Sequence, residues 1–343
     1  MSDAIRRTLF LLTAILLSAI GACSTTGWSA ERRLPPAPAG SFSIVVIPDT
    51  QAYRGRGTKA TPSSNEPVTN AVFDAHTRWI VDNLRAQRIA FVSHVGDIVD
   101  RDVPEQWAVA RQLMDRLHQR VPDDSNQPGC GNPVPVLARC GSTALAAALP
   151  PYGIALGNHD LKANGDTTLF QQYFPAARFA GFPWYGGTPS DELEAQYGNN
   201  ANSFQLFSAG GLDFVFLHLE CNAPDAVLRW ADEVLADHAS RRALVATHMG
   251  LGPLAQPQKA EDFFVAPKGR MQWKKVHGRL GNTPQQMWDK CFRRHAHLFL
   301  ILSGDQSRTQ AMRLASRNDA GQPVHEVVPI ARRKRTESAL RSA

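Results

Sequence analysis

The sequence predicts an α/β fold, a mixed sandwich of β-sheet and helices in one domain. In the first half of the chain, β-rich apolar runs alternate with segments of helical periodicity, and in the middle several strand-like runs follow one another. The chain has 343 residues, 43% of them apolar, which suffices for one large domain or two small ones. The sequence contains no internal repeat, so we expect these elements to share one core.

The individual elements are assigned from the spacing of apolar residues. In the first helix this spacing places Val72 and Trp79 on the buried face, with Ile80 and Leu84. Asn222 has the side chain of an N-cap for the third helix. The helix stripes assign Trp79, Trp107 and Trp230 to the core. The predicted strands are 43–48, 89–95, 152–156, 203–207, 213–219, 243–247 and 297–302, and the predicted helices are 71–87, 104–120, one beginning after Asn222, and 284–295.

The N-terminal segment has the pattern of an export signal. Two arginines precede the apolar run 9–20, which is too short to span a bilayer comfortably, and Gly21-Ala22-Cys23 follows. A cysteine directly after a small pair resembles a bacterial lipoprotein signal, in which Cys23 becomes the lipidated N-terminus. The alternative is an ordinary signal peptide. By the same resemblance, Ser24 favours anchoring to the outer membrane, with the protein facing the periplasm.

Composition divides the remaining chain. We expect a signal over 1–22, a flexible tether over 23–40, a main domain over 41–330 with an insertion at 121–150, and a basic tail over 331–343. The net charge is +6, of which the signal contributes +1 and the tail +4, leaving +1 for the rest. The basic character therefore belongs mostly to a solvated tail, and a nucleic-acid partner is not expected.

Export makes disulfides possible. Four cysteines remain after Cys23, and four cysteines permit three pairings. Cys130 and Cys140 lie close together in the Pro- and Gly-rich insertion, so a local bridge is expected there, with Cys221–Cys291 as the remaining pair. The sequence has no CxxC pair, which argues against a zinc site built from cysteine pairs.

Five apolar runs end in turns that carry metal-competent side chains. Strands paired in one sheet bring their ends together at one edge, so the five turns are predicted to form one cluster. The turns are Asp49-Thr50-Gln51, Gly96-Asp97, Gly157-Asn158-His159-Asp160, Thr247-His248 and Gly304-Asp305.

A binuclear hydrolytic site needs these residue types. One carboxylate bridges two cations, further oxygen or imidazole ligands hold each cation, and a proton donor serves the leaving oxygen. Asp49 and Asp97 are hard anionic ligands, while Asn158 offers a carbonyl oxygen and His248 an imidazole. His159 lies one residue beyond Asn158, so it can reach the substrate without binding metal, and Asp160 is placed to orient it.

The ordered set of turns resembles the calcineurin-like metallophosphoesterase family. The flanking stretches TRWIVDN, HVGDIVD, EQW and WADEVLADH read like a bacterial branch of that family, and the resemblance spans about residues 43–310. It implies a four-layer α/β sandwich, with two mixed β-sheets face to face and helices outside. It also implies that Asp97 bridges two divalent cations, that Asp49 holds one, and that Asn158 and His248 hold the other.

The implied activity is hydrolysis of phosphate mono- or diesters. In that mechanism, water held by the two cations attacks phosphorus and His159 protonates the leaving oxygen. Asp100, which follows the Gly96-Asp97 turn, is expected to be structural. His94, His218 and His297 lie within strands and are assigned to packing.

Two departures from the family pattern affect the metal ligands. A Gly-His-x-His turn is common near the end of the family's domain, and here it is Gly304-Asp305-Gln306-Ser307. Gln51 stands where the first motif often has histidine. Asp305 can replace one lost imidazole, and the oxygen-rich set favours Mn²⁺ or Mg²⁺, with Zn²⁺ or iron as alternatives. The rival hypothesis is an envelope binding protein on a degenerate phosphoesterase scaffold, with one metal or none.

Overall fold

The computed structural model describes residues 34–118, 149–189, 199–251, 274–305 and 312–329. Within them the chain is a mixed α/β structure with two β-sheets and helices. The expected signal, nearly all of the expected insertion, the Cys130–Cys140 pair and the basic tail lie outside the described residues.

The small sheet contains three parallel strands, β1 (Ser43–Ile47), β2 (Ile89–His94) and β3 (Tyr152–Ile154), in that order. Ile47 pairs with His94, and His94 pairs with Ile154, so the three strands end level at one edge. The resemblance implied that both sheets are mixed. The described pairings of this sheet are all parallel, because helices and long loops connect its strands.

The large sheet has seven strands and mixed pairing. Leu219 pairs with Thr247 and Ala246 with Leu302, so three parallel strands also end level. The last two strands form an antiparallel pair that the sequence did not predict. The strands are β4 (Tyr185–Gly187), β5 (Ser203–Ala209), β6 (Leu212–Leu219), β7 (Arg242–Thr247), β8 (Leu298–Leu302), β9 (Met312–Arg317) and β10 (Pro323–Val328), in the spatial order β4-β5-β6-β7-β8-β10-β9.

The helices are mostly short. The described residues contain no helix long and apolar enough to cross a bilayer. The helices are α1 (Ala71–Asn83), α2 (Pro104–Met114), α3 (Thr168–Tyr173), α4 (Ala176–Phe179), α5 (Asp225–Asp237), α6 (Lys274–His277) and α7 (Pro284–Lys290), with 3₁₀ turns at Asp115–Leu117, Ala163–Gly165 and Phe292–Arg294.

Three apolar clusters contribute to the core. One contains Phe91 of the small sheet together with Phe216 and Leu244 of the large sheet, and therefore joins the two sheets. A second packs α1 and α2 with residues of the small sheet, and a third packs α5 and α7 with residues of the large sheet. Burial of apolar surface on both sides of each sheet holds the strand ends rigidly.

The buried face of α1 differs from the prediction. Val72 and Trp79 are 46% and 39% exposed, and the buried residues are Phe73, Thr77 and Ile80. The Asn70 side chain accepts a hydrogen bond from the Phe73 N–H, which sets where the helix begins. Phe73 then packs against the His94 ring, turning Trp79 toward solvent. Trp107 and Trp230 are buried, as predicted.

Two further predictions are wrong. Pro224, rather than Asn222, precedes α5 as its cap, because the Asn222 amide donates to the Asn282 carbonyl oxygen at 2.8 Å. Cys221 and Cys291 are both free and buried. Cys221 belongs to the cluster of the small sheet and Cys291 to the cluster of α5 and α7 on the large sheet, so the two thiols lie in different parts of the core.

Candidate metal centre

The turn after β2 places Asp97 at the edge where the strands end. Asp97 has φ = +52°, a left-handed conformation that exposes its carboxylate beyond the strand. Gly157, after β3, lies directly against it, and a Cβ at this position would stand 2.1 Å from Asp97 Oδ1. The glycine of the Gly-Asn-His-Asp turn is therefore required by this close approach.

Asp97 is held from both sides through its two carboxylate oxygens. Oδ1 accepts the backbone N–H of His159 at 2.9 Å. Oδ2 accepts the Gln51 amide at 2.6 Å and lies 3.3 Å from His248 Nε2. Oδ2 is thus the oxygen that faces Gln51 and His248.

His248 presents one defined nitrogen to the site. Its Nδ1–H donates to the Val95 carbonyl oxygen at 2.8 Å, since a carbonyl can only accept. In the neutral form of the ring, which is the form that binds a metal, this leaves the lone pair on Nε2, which is buried without a hydrogen-bond partner among the described residues. Nε2 lies 3.7 Å from Asp305 Oδ1 as well as 3.3 Å from Asp97. An imidazole fixed in this way is a typical metal ligand.

The remaining predicted ligands are Asp49, Asn158 and Asp305. Ligand atoms of Asp49, Asp97 and His248 all lie within 4.8 Å of one another. Asn158 Oδ1 is buried and has no hydrogen-bond partner among the described residues. A Cβ on Gly304 would stand 2.6 Å from Asp49 Oδ1, so the turn after β8 faces the same site.

The titratable side chains of this centre are partly or fully buried, and they shift one another's pKa. Burial raises the pKa of Asp49 to about 6, the nearby His248 opposing the rise and Asp97 adding to it. Burial acts to raise the pKa of Asp97 too, but the His248 imidazole outweighs it and holds that pKa below its ordinary value. Burial acts to lower the pKa of His248. The neighbouring carboxylates, Asp97 most strongly, outweigh burial and raise this pKa well above its usual range. Buried carboxylates of this kind need a positive charge, and the donor set fits a divalent cation.

Asp160 supports the turns through the backbone. Its carboxylate accepts the N–H groups of Ile98, Val99 and Gly157 at 3.2, 3.0 and 2.8 Å. Burial acts to raise the pKa of Asp160 and the charge of Asp97 adds to this, while the three backbone N–H groups oppose the rise by stabilising the carboxylate. The sequence predicted that Asp160 orients His159, whereas these hydrogen bonds lock the Gly96-Asp97 turn to the Gly157 turn.

His159 takes its orientation from a different residue. Its Nδ1–H donates to the Asp100 carbonyl oxygen at 2.8 Å, which leaves Nε2 as the second ring nitrogen. The side chain is 27% exposed and therefore accessible from solvent. The Asp100 carboxylate pairs with Lys59 at 2.7 Å.

Sequence reasoning missed two supporting groups. Thr50 Oγ1 and Tyr53 Oη both donate to the Ile98 carbonyl oxygen at 3.0 Å, behind the Asp97 turn. Glu220, which is fully buried, lies 3.0 Å from His277 Nε2. Glu220 directly follows β6, so the strand-end pattern used for the other turns would have flagged it.

The three histidines assigned to packing have buried partners. His218 stacks on Phe91, with ring centroids 5.8 Å apart, and hydrogen-bonds Ser93 at 2.9 Å. His94 Nε2 lies 3.1 Å from Thr50 Oγ1 and thereby also supports the site. His297 is half-buried with its ring 5.7 Å from that of His295.

Comparisons with known proteins add two similarities. No family model matches the sequence. The chain is 30% identical over 220 residues to "Uncharacterized protein YvnB" of Bacillus subtilis (strain 168). The aligned region is 64% of this chain and only 13% of that relative. Among solved structures, the 5'-nucleotidase precursor from Thermus thermophilus matches with a TM-score of 0.40 and 16% identity, over 84% of this chain and 48% of that one.

Proposed function

We propose that this protein is a metal-dependent phosphoesterase of the calcineurin-like type. One observation carries the proposal: His248 Nε2 is buried without a hydrogen-bond partner among the described residues, beside the carboxylates of Asp49 and Asp97. Asn158 Oδ1 is likewise buried and unpartnered among the described residues, one residue before the His159 N–H that donates to Asp97. Buried polar atoms are normally paired, and unpaired ligand-type atoms beside carboxylates indicate a place for a cation.

The proposed ligands divide between two cations. Asp97 would serve both, Asp49 and the Gln51 side chain would serve the first, and Asn158, His248 and Asp305 would serve the second. Divalent cations supply Lewis-acid activation of water and neutralise charge on the phosphoryl group. Oxygen donors outnumber the single imidazole, so Mn²⁺ or Mg²⁺ suits the set better than Zn²⁺ or iron.

His159 is the proposed proton donor to the leaving oxygen. The Asp100 carbonyl oxygen holds the Nδ1–H, so the proton for the substrate is carried on Nε2. The backbone N–H of His159 simultaneously anchors Asp97 Oδ1. His159 therefore links the proposed proton donor to the proposed ligand Asp97, which fixes the position of the donor relative to the phosphoryl group.

The wider proposal concerns architecture and location. The three apolar clusters support a four-layer sandwich with helices outside both sheets. The pattern around Cys23 supports an exported protein, lipid-anchored and facing the periplasm, with a phosphate ester as its substrate and no nucleic-acid partner.

A binding protein on a degenerate phosphoesterase scaffold is the second candidate. The contact of Gln51 favours this second candidate. Its amide N–H donates to Asp97 Oδ2 at 2.6 Å and so occupies an oxygen that the proposed cations would need. A weak first cation site would leave ligand binding intact while removing turnover.

Two substrates distinguish the candidates. His159→Ala is expected to slow hydrolysis of an alkyl phosphate by roughly 10²–10⁴-fold, but to slow hydrolysis of nitrophenyl phosphate only slightly, because nitrophenolate leaves without a proton. The measurement is kcat on both substrates in Mn²⁺, with His325→Ala as a control histidine on β10. Equal losses would remove His159 from this role, and no metal-dependent turnover in the wild type would favour the binding protein.

A further inference from the structure

A second set of metal-type side chains lies away from the candidate centre. Asp232 lies on α5, Cys291 directly follows α7, and His295 follows the next 3₁₀ turn. One carboxylate oxygen, the thiol sulfur and one imidazole nitrogen all lie within 4.8 Å of one another. His295 Nε2 is 2.9 Å from Asp232 Oδ1.

The protein holds these side chains in place. Cys291 N–H donates to the Met287 carbonyl oxygen at 3.1 Å, which continues the helix to the cysteine. Asn318 Nδ2 donates to the His295 carbonyl oxygen at 3.2 Å and fixes the backbone at the histidine. The two ligands are therefore set by local backbone geometry, and α5 brings the third from elsewhere in the chain.

The environment differs on the two sides of the cluster. Cys291 is completely buried and His295 is 8% exposed, whereas the Asp232 side chain is 36% exposed. Arg294 lies 3.6 Å from Asp232 Oδ2, which occupies the outer carboxylate oxygen and leaves Oδ1 facing inward. Charged partners outside a metal site commonly orient ligating carboxylates.

Burial also decides the state of the thiol. It raises the pKa of Cys291 well above its ordinary value, and the charge of Asp232 adds to the rise. Sulfur, nitrogen and one oxygen make a softer donor set than the oxygen-rich centre at Asp97, and Zn²⁺ accepts this combination in tetrahedral sites.

We propose that Asp232, Cys291 and His295 form a second metal site, which binds Zn²⁺ or a similarly thiophilic divalent cation. Binding releases the Cys291 proton and replaces the Asp232–His295 hydrogen bond by two bonds to the metal. Solvent takes the fourth position on the Asp232 side. The ion joins α5 to the segment 291–295 and is structural, whether or not the proposed phosphoesterase activity holds.

Cobalt provides the test, because a thiolate-bound Co²⁺ gives a near-ultraviolet charge-transfer band that oxygen ligands do not give. Purified full-length protein is titrated with Co²⁺, in the wild type and in Asp97→Asn. The band is expected in both, because the Asp97 centre contains no thiolate among its proposed ligands. The outcome is therefore independent of the phosphoesterase proposal.

Two cysteine variants identify the sulfur. Cys291→Ser is expected to lose the band, and Cys221→Ser, which changes the other buried free thiol, to retain it. Asp232→Asn, at the exposed edge, tests a ligand without disturbing the core and is expected to weaken Co²⁺ affinity at least about tenfold. No band in the wild type, a band that survives in Cys291→Ser, or unchanged affinity in Asp232→Asn would overturn the proposal.

Discussion

The turns after β2 and β3 and the turn after β8 meet at one centre but are held in different ways. The first two are joined by the Asp160 carboxylate, which accepts three backbone N–H groups, and the Thr50 N–H donates to the Asp97 carbonyl oxygen at 3.0 Å. At the third, Gly304 N–H donates to the His248 carbonyl oxygen at 3.0 Å and Ser303 N–H to the Val327 carbonyl oxygen at 2.9 Å, and the Asp305 backbone hydrogen-bonds the Asp49 carboxylate. The Ser303 hydroxyl Oγ is buried without a partner among the described residues.

This difference coincides with the departures in sequence. The two turns joined by Asp160 keep the family-like Gly-Asp and Gly-Asn-His-Asp residues, and the turn after β8 is the one that carries Asp305 in place of an imidazole. A buried carboxylate that serves several amides restricts substitution around it.

The largest effect is expected from disrupting the three hydrogen bonds that the Asp160 carboxylate accepts from backbone N–H groups. Asp160→Asn turns an amide NH₂ toward backbone donors and should lower the free energy of unfolding by about 3 kcal/mol. Ser303→Ala, the matched change in the other turn, removes a buried hydroxyl without a described partner and should change stability by less than about 0.5 kcal/mol. Urea denaturation of both variants measures the asymmetry, and similar losses would remove the distinction between the turns.

The sheets beneath both turns are joined by His218, which gives stability a pH dependence. Burial lowers the pKa of His218 from 6.5 to about 3. Below pH 6.5 the unfolded chain therefore binds a proton that the folded protein refuses, and stability falls as pH falls. The contribution is about 1.4 kcal/mol per pH unit between roughly pH 6 and 3.

His218→Gln should reduce that slope relative to the wild type. Denaturation midpoints of both proteins at several pH values between 4 and 7, roughly the window set by this linkage, provide the measurement. Parallel curves would show that His218 does not remain neutral in the folded protein.

The smallest effect is expected at the turn after β8. Asp305→His restores one imidazole beside His248, where Asp305 Oδ1 now lies 3.7 Å from Nε2. Zn²⁺ affinity should rise about tenfold while Mn²⁺ affinity changes little, because imidazole suits Zn²⁺. Calorimetric titration of both metals decides this, and a loss of affinity for both would mean that Asp305 is needed as an oxygen ligand.

The strand ends could be predicted from the sequence because an apolar run followed by a polar turn is a local signal. Asp49, Asp97 and His248 each follow such a run, and the sheets bring them together. The role of Asp160 could not be predicted, since two of its partners lie about 60 residues earlier and are backbone groups. A backbone N–H can donate whatever the side chain of its residue, so the sequence does not indicate such a hydrogen bond.

Tertiary contacts explain the other misses. Trp79 was assigned to the core from spacing alone, but the Asn70 cap and the Phe73–His94 contact set the phase of α1. Cys221 and Cys291 were paired by elimination, and only the fold shows that they belong to different core clusters. β9 and β10 lie at one end of the large sheet, where short strands carry a weak apolar pattern.

Metal content tests the central claim most directly, because Asp97 lies beside both His248 and Asp49. Wild-type protein and Asp97→Asn are loaded with Mn²⁺, which suits oxygen ligands rather than the thiol of Cys291, desalted, and analysed for bound metal by mass spectrometry, with circular dichroism to confirm the fold. The variant is expected to retain less than about a tenth of the wild-type Mn²⁺ while keeping the same spectrum, since outer ligands alone bind weakly. Equal Mn²⁺ in the two proteins would contradict the proposed metal centre.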